Sequence, residues 1–380
     1  MSDFPIASDA EMDRLFREAG MTQSEQFAAS RGTYFTDSQV GSAAQQLSSQ
    51  AQQPHSQQPR NETQQLSDKQ VSSQRVSDDP NEQPLDIDNP AQFHETFWPA
   101  LRLFPWQRAT LLQFAGFTRG DEFGPYHQPT KESPVEYALV AANGSGKSAI
   151  IIARMALWFI AHARNNICVV TSNTFEQLKK QTFRAIHRAA EDVNELLGFE
   201  YFECTECRVY CPATRGAIEG VATDRPGRAE GYHPDDKGQL AFIADEAKSI
   251  SDELFNAFLR YHGYNTWIEV SSPAFMSGHF YERTMRAEQW AVERDGRFDE
   301  LILGKTYARR VTAYECPGAI PLHAINKILE EDTETGYLFK TSILAEFGSI
   351  GDSVVIPMEY TTYNPPAWNT YGLPKKAGLD

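Results

Sequence analysis

Four short, almost unbroken apolar runs, each followed by a longer stretch with helical spacing, set the narrowest limit on how this chain can fold. They are VEYALVAA before residues 147–164, ICVVTS before 175–197, LAFIADE before 252–262 and TWIEVSS before 278–295. A strand that is apolar at nearly every position has to be buried on both faces, and helices between successive strands supply the cover. The pattern predicts an α/β fold with a mainly parallel sheet flanked by helices. Residues 201–221 instead alternate polar and apolar side chains in short steps, which predicts a hairpin inserted in that sheet.

The first run leads directly into A-A-N-G-S-G-K-S. Against G-x-x-x-x-G-K-[ST], residues 141–148 match everywhere except the first position, where Ala141 replaces glycine. A strand before the loop and a helix after it are the context in which such a loop binds phosphate. Gly144 and Gly146 let the chain turn tightly, so that the backbone around Asn143 and Ser145 can aim amides at phosphate oxygens. Lys147 would reach the β and γ phosphates, and Ser148 would place its hydroxyl on Mg²⁺. The third run ends in Asp245 and Glu246, an acid pair at the carboxyl end of a strand. Asp245 suits the Mg²⁺ shell, and Glu246 suits the orientation and deprotonation of an attacking water. ICVVTS lies between the two motifs in sequence, as in P-loop NTPases that insert a strand between them. In FPWQRATLLQF, Gln107 can both donate to and accept from an adenine edge, with Trp106 or Phe104 to stack on the base. Ser271 and Ser272 end the fourth run, where their hydroxyls could sense the γ phosphate.

Together these residues resemble the ATPase domain of bacteriophage terminase large subunits. The shared features are a glutamine before the first strand, a deviant loop of the form A-x-N-G-S-G-K-S, an apolar-D-E-A strand and a Ser-Ser-Pro strand end. The resemblance spans about residues 93–345. It implies an ATP- and Mg²⁺-dependent motor that moves double-stranded DNA into a viral shell. The implied partners are a portal protein, a small terminase subunit and further copies of the chain in a ring, and the implied location is the host cytoplasm at the procapsid portal vertex. A Gly-x-Asp whose acid binds a nuclease metal is expected where KKAGLD ends at Asp380. The other nuclease acids of that family are not in this sequence, so the chain itself is not expected to cut DNA. Members of the family usually carry an arginine where this chain has Asn143. Arg225 and Arg228 are the candidates to replace it as a finger inserted into a neighbouring subunit, with Arg228 preferred.

The resemblance divides the chain into a low-complexity segment over 1–90, the ATPase over 91–350 and a linker over 351–380. Residues 38–84 are rich in Gln and Ser with few large apolar side chains, so they are expected to be disordered; before them, a short amphipathic helix is expected over 9–20. The net charge of −16 opposes a broad DNA-binding face. Contact with DNA would be local, or shared around a ring. Lys179, Lys180, Arg184 and His187 form the most basic helix face. Five cysteines suit a reducing compartment better than a disulfide framework. Cys204, Cys207 and Cys211 could form a zinc site only by recruiting His233 or Cys316, and alternation along a hairpin accounts for them better. The acidic start MSDFPIASDAEMDRLFREAG differs from a secretory leader. Two other functions fit the nucleotide motifs: a helicase-like or repair ATPase, and a nucleotide-binding switch with little turnover.

Overall fold

The computed structural model describes residues 84–349, apart from 121–124, 223–231, 233, 235–236, 261–262, 292, 295–296 and 299. Several sequence expectations lie outside the described residues: the 9–20 helix, most of the Gln-rich segment, Arg225, Arg228, His233, Asp380 and the whole of the proposed linker.

The strands are β1 (Val135–Ala141), β2 (Ile167–Ser172), β3 (Glu203–Thr205), β4 (Arg208–Cys211), β5 (Gly216–Ala222), β6 (Leu240–Asp245), β7 (Thr266–Ser271), β8 (Gln289–Trp290), β9 (Glu293–Arg294), β10 (Arg297–Phe298) and β11 (Thr306–Val311). Nine of them form one sheet in the order β3-β4-β5-β2-β6-β7-β1-β11-β8. Every pair from β5 to β8 along that order is parallel, and β3, β4 and β5 are antiparallel neighbours. The hairpin read over 201–221 is therefore present at one edge. β9 and β10 form a separate two-stranded ribbon.

Burial explains why the central runs are apolar throughout. Along β1, Tyr137, Leu139 and Ala141 enter the large core on one side of the sheet, while Ala138 and Val140 enter the core on the other. In β6, Ala241 and Ile243 take the first side; Leu240, Phe242 and Ala244 take the second. A strand covered on both faces takes apolar side chains at most positions, and a polar one only where it finds partners, as Glu269 does. The helix Arg184–Leu197 buries Ile186, Ala189, Ala190 and Val193, one stripe at helical spacing, and stops at Gly198, whose φ of 78° is a left-handed cap. A smaller cluster of Ala142, Ala313, Ile325, Phe339 and Ile343 seats the helices Leu322–Glu331 and Tyr337–Ser342 beneath the loop that follows β1.

Two features depart from the sequence reading. ICVVTS, as β2, lies on the far side of β6, and the strand inserted in space between β1 and β6 is β7. The helix expected over 278–295 spans only His279–Met285. Arg286, at φ −88° and ψ 1°, ends its last turn, and Gln289 and Trp290 then pair with Tyr307 and Ala308 of β11. Sheet pairing there prevails over good helix-forming residues.

Candidate functional site

Because β7 sits between β1 and β6, the carboxyl ends of all three strands lie side by side. Ser271 is level with Val140, and Val270 with Asp245. Open α/β sheets bind ligands at this edge. Ala141 is the last residue of β1, paired with Val311 and fully buried, so the position that usually carries the first glycine needs no special backbone freedom here. Freedom is required later, at Gly144 (φ 81°) and Gly146 (φ 86°). A Cβ on Gly146 would meet Gln107 Nε2 at 3.0 Å and Ile150 Cδ1 at 3.1 Å. Beyond Gly146 the chain enters a π-helical turn, Lys147–Ile152, where Gly146 O accepts from the amides of Ile150 and Ile151. Ser145 is 1% exposed, and its hydroxyl has no hydrogen-bond partner among the described residues. Asn143 is exposed on the loop.

Gln107 has a different place from the one expected. Its Nε2 donates to Ser145 O at 3.0 Å and its Oε1 accepts from Phe104 N at 3.0 Å, so the amide ties the phosphate loop to the start of the helix Pro105–Ala115. Gln107 is 1% exposed and Trp106 2%. Neither side chain is presented to a base, and the expectation of adenine recognition through this pair is corrected to support of the loop.

Lys147 is nearly buried, and its Nζ donates to Ala141 O at 3.1 Å and Ala142 O at 2.9 Å. Burial lowers its pKa, and Glu246 and Asp245 pull the other way. Ser148 Oγ donates to Asp245 Oδ2 at 2.8 Å. The same oxygen accepts from Thr182 Oγ1 at 2.7 Å. Burial raises the Asp245 carboxyl above its usual range, while these two hydroxyls favour its charged form. Thr182 was not picked out from the sequence. A second π-helical turn, Leu178–Phe183, carries it to the site, and no residue spacing signals that turn.

Glu246 follows in the left-handed region, φ 53° and ψ 42°, and caps the short 3₁₀ turn Ala247–Ser249. Few non-glycine residues adopt that conformation, and it turns the chain sharply away from β6. Ser271 Oγ stands 3.4 Å from Glu246 Oε2, and both Ser271 and Ser272 are buried. The structure thus brings Gly144, Ser145, Gly146, Lys147, Ser148, Asp245, Glu246, Ser271 and Ser272 to one edge of the sheet. The donor set suits Mg²⁺: Ser148 Oγ, Thr182 Oγ1 and Asp245 Oδ2 are hard oxygens already in contact. The unpartnered Ser145 hydroxyl suits a phosphate.

The remaining candidates stand apart from this edge. Lys179 pairs with Glu206, and Lys180 with Glu176 at 2.6 Å, which neutralises half of the basic helix face. Burial lowers the pKa of His187. Cys204 lies on β3, Cys207 in the turn after it and Cys211 at the end of β4; burial pushes the Cys204 thiol up to about 11. Among the described residues no group of three His, Cys, Asp or Glu side chains is placed to hold a metal ion, and no helix is long and apolar enough to cross a membrane.

No protein-family model and no curated protein matches the chain. Among solved structures, it is similar to the large terminase ATPase domain of Thermus phage P74-26, with 16% identity and a TM-score of 0.42 over 65% of this chain and 100% of that one. It is also similar to the large terminase of a thermophilic bacteriophage solved with ADP, at 9% identity and a TM-score of 0.43. That match covers 63% of this chain and 52% of the other. The HK97 bacteriophage large terminase matches at 18% identity and a TM-score of 0.31, over 45% of this chain and 33% of that one.

Proposed function

We propose that this chain hydrolyses ATP with Mg²⁺ and is the motor ATPase of a viral terminase, coupling hydrolysis to movement of double-stranded DNA into a procapsid. The observation that carries the ATPase reading is the contact between Ser148 Oγ and Asp245 Oδ2 at 2.8 Å, which joins the glycine loop to the acidic strand across 97 residues of sequence. A phosphate-binding loop and a metal carboxylate meet in this way where they serve one nucleotide.

In this reading the amides from Asn143 to Gly146 and the Ser145 hydroxyl hold phosphate oxygens. Lys147 exchanges the carbonyls of Ala141 and Ala142 for the β and γ phosphates. Ser148 and Asp245 hold Mg²⁺, with Thr182 fixing the carboxylate. When bound, Mg²⁺ neutralises charge on the phosphoryl oxygens. Glu246 orients a water and accepts its proton, and Ser271 and Ser272 sense the γ phosphate from the end of β7. Arg228 is the proposed finger for a neighbouring subunit. The motor assignment is supported by the ordered set of A-x-N-G-S-G-K-S, D-E-A and S-S-P motifs. A ring at the portal vertex in the host cytoplasm, with portal protein and small subunit as partners, completes the proposal.

Phosphate release by the purified chain tests it. Release is expected to need Mg²⁺, to rise when double-stranded DNA is added, and to fall to background in Lys147→Ala. Mg²⁺-independent release, or full release by Lys147→Ala, would remove the ATPase reading; release indifferent to DNA would remove the motor.

A further inference from the structure

Lys248 lies two residues beyond Glu246, in the Ala247–Ser249 turn. Its ammonium donates to Ser272 Oγ at 2.6 Å and stands 3.6 Å from Glu246 Oε2. Its backbone amide faces Ser271 Oγ at 3.4 Å. One residue thus touches the acid after β6 and both hydroxyls at the end of β7. The ion pairs Lys180–Glu176, Arg286–Glu282 and Lys327–Glu331 are different in kind, since each joins residues four apart on an exposed helical surface. Lys248 and Glu246 are each only 28% exposed at the side chain, and their contacts with Ser272 and Ser271 join the turn after β6 to the end of β7.

The backbone supplies the reason for such a clasp. Glu246 is held at positive φ, a conformation that persists only where surrounding contacts enforce it. Among the described residues its carboxylate receives one long hydrogen bond, from Ser271. Lys248 makes the ion pair with this carboxylate and, tied to Ser272, can fix where it points. It also stands close enough to Lys147 to oppose that lysine's charge, and so brings positive charge to an edge where Asn143 supplies none.

We propose that Lys248 is a positioning residue of this site. Its ammonium clasps the Glu246 carboxylate to Ser272, aiming the proton acceptor and locking the end of β6 against the end of β7. A change at the acid pair is then transmitted directly to β7. The consequence for turnover rests on the ATPase reading above; the clasp itself does not.

Two measurements separate these. In the nucleotide-free protein, Lys248→Met is expected to raise amide hydrogen exchange at Lys248, Ser249 and Ile250 about tenfold. The helix Asp252–Leu259 should be unchanged, and Lys248→Arg should restore protection. In steady-state hydrolysis, Lys248→Met is expected to lower kcat on the order of 100-fold. KM should stay within about threefold, because the loop that binds phosphate is untouched, and Lys248→Arg should recover most of the loss. Unchanged exchange at the three amides overturns the clasp, whether or not the parent hydrolyses ATP. A rise in KM with kcat preserved overturns the positioning role and makes Lys248 a simple nucleotide contact. A parent without turnover sinks the ATPase reading, while the exchange result still decides the clasp.

Discussion

Replacing Glu246 with glutamine is expected to lower the rate of ATP hydrolysis by roughly 10²–10⁴-fold while leaving MgATP bound. The substitution keeps the size and shape of the side chain. Its amide oxygen can still accept from Ser271 Oγ, 3.4 Å away in the parent. What it loses is the capacity to take a proton and the attraction of Lys248. The groups assigned to the nucleotide, from Gly144 to Ser148 with Asp245, keep their contacts, and the Ser148 to Asp245 hydrogen bond does not involve residue 246. Single-turnover phosphate release, compared with the affinity for a fluorescent ATP analogue, reads the two effects separately. Turnover equal to the parent would mean that another group is the base, and that the strained backbone at Glu246 serves something else.

A second large effect is expected in stability. Glu269 of β7 is fully buried, and its Oε1 accepts from Trp267 Nε1 at 2.9 Å, with His279 Nε2 and Arg283 Nε each 3.1 Å away. Arg283 also donates to Glu136 Oε2 at 2.9 Å, and Glu136 accepts from Tyr264 and Thr306 as well. One guanidinium on the helix His279–Met285 thus serves carboxylates from two adjacent central strands, β7 and β1. Its plane also approaches Trp267, at 4.8 Å from the ring centroid. Arg283→Ala would leave both carboxylates poorly solvated and without their cation, a change that costs about 3–5 kcal/mol. The melting temperature should fall on the order of 10 °C. Adding Glu269→Gln should recover part of the loss, because the buried charge is then removed as well. A drop of less than about 1 kcal/mol would show that the cluster is solvated like a surface pair. Glu269 lies two residues before Ser271, on the strand whose end is level with the acid pair.

The four central strands were legible because burial on both faces leaves most positions along them to apolar side chains. β11, T-Y-A-R-R-V, was not, because it carries two arginines. Arg309 is nonetheless 1% exposed; its Nη1 donates to Trp106 O and Thr110 Oγ1 and so stabilises the end of a helix turn that sequence order puts 199 or more residues away. The glycine loop and the acid pair were legible as motifs, and the sheet order brings them together. Gln107 was legible as a residue of the site and misread in its role. Sequence shows a carboxamide with a donor and an acceptor; only the fold shows that Ser145 O and Phe104 N use them. Thr182 gave no signal at all, since a single threonine in a helix is ordinary until a π turn directs it at Asp245. Lys248 stood next to the acid pair in sequence, and its value depends on Glu246 bending the chain back towards Ser272.

A structure of the chain with Mg²⁺ and a slowly hydrolysed ATP analogue tests the shared site most directly. Ser148 Oγ should bind the metal at about 2.0–2.1 Å. Asp245 should stand in the same metal shell, and Lys147 Nζ should have left the carbonyls of Ala141 and Ala142 for the phosphates. A nucleotide bound elsewhere, or bound with Lys147 still on those carbonyls and Asp245 away from the metal, would contradict the assignment of one MgATP site to these two motifs.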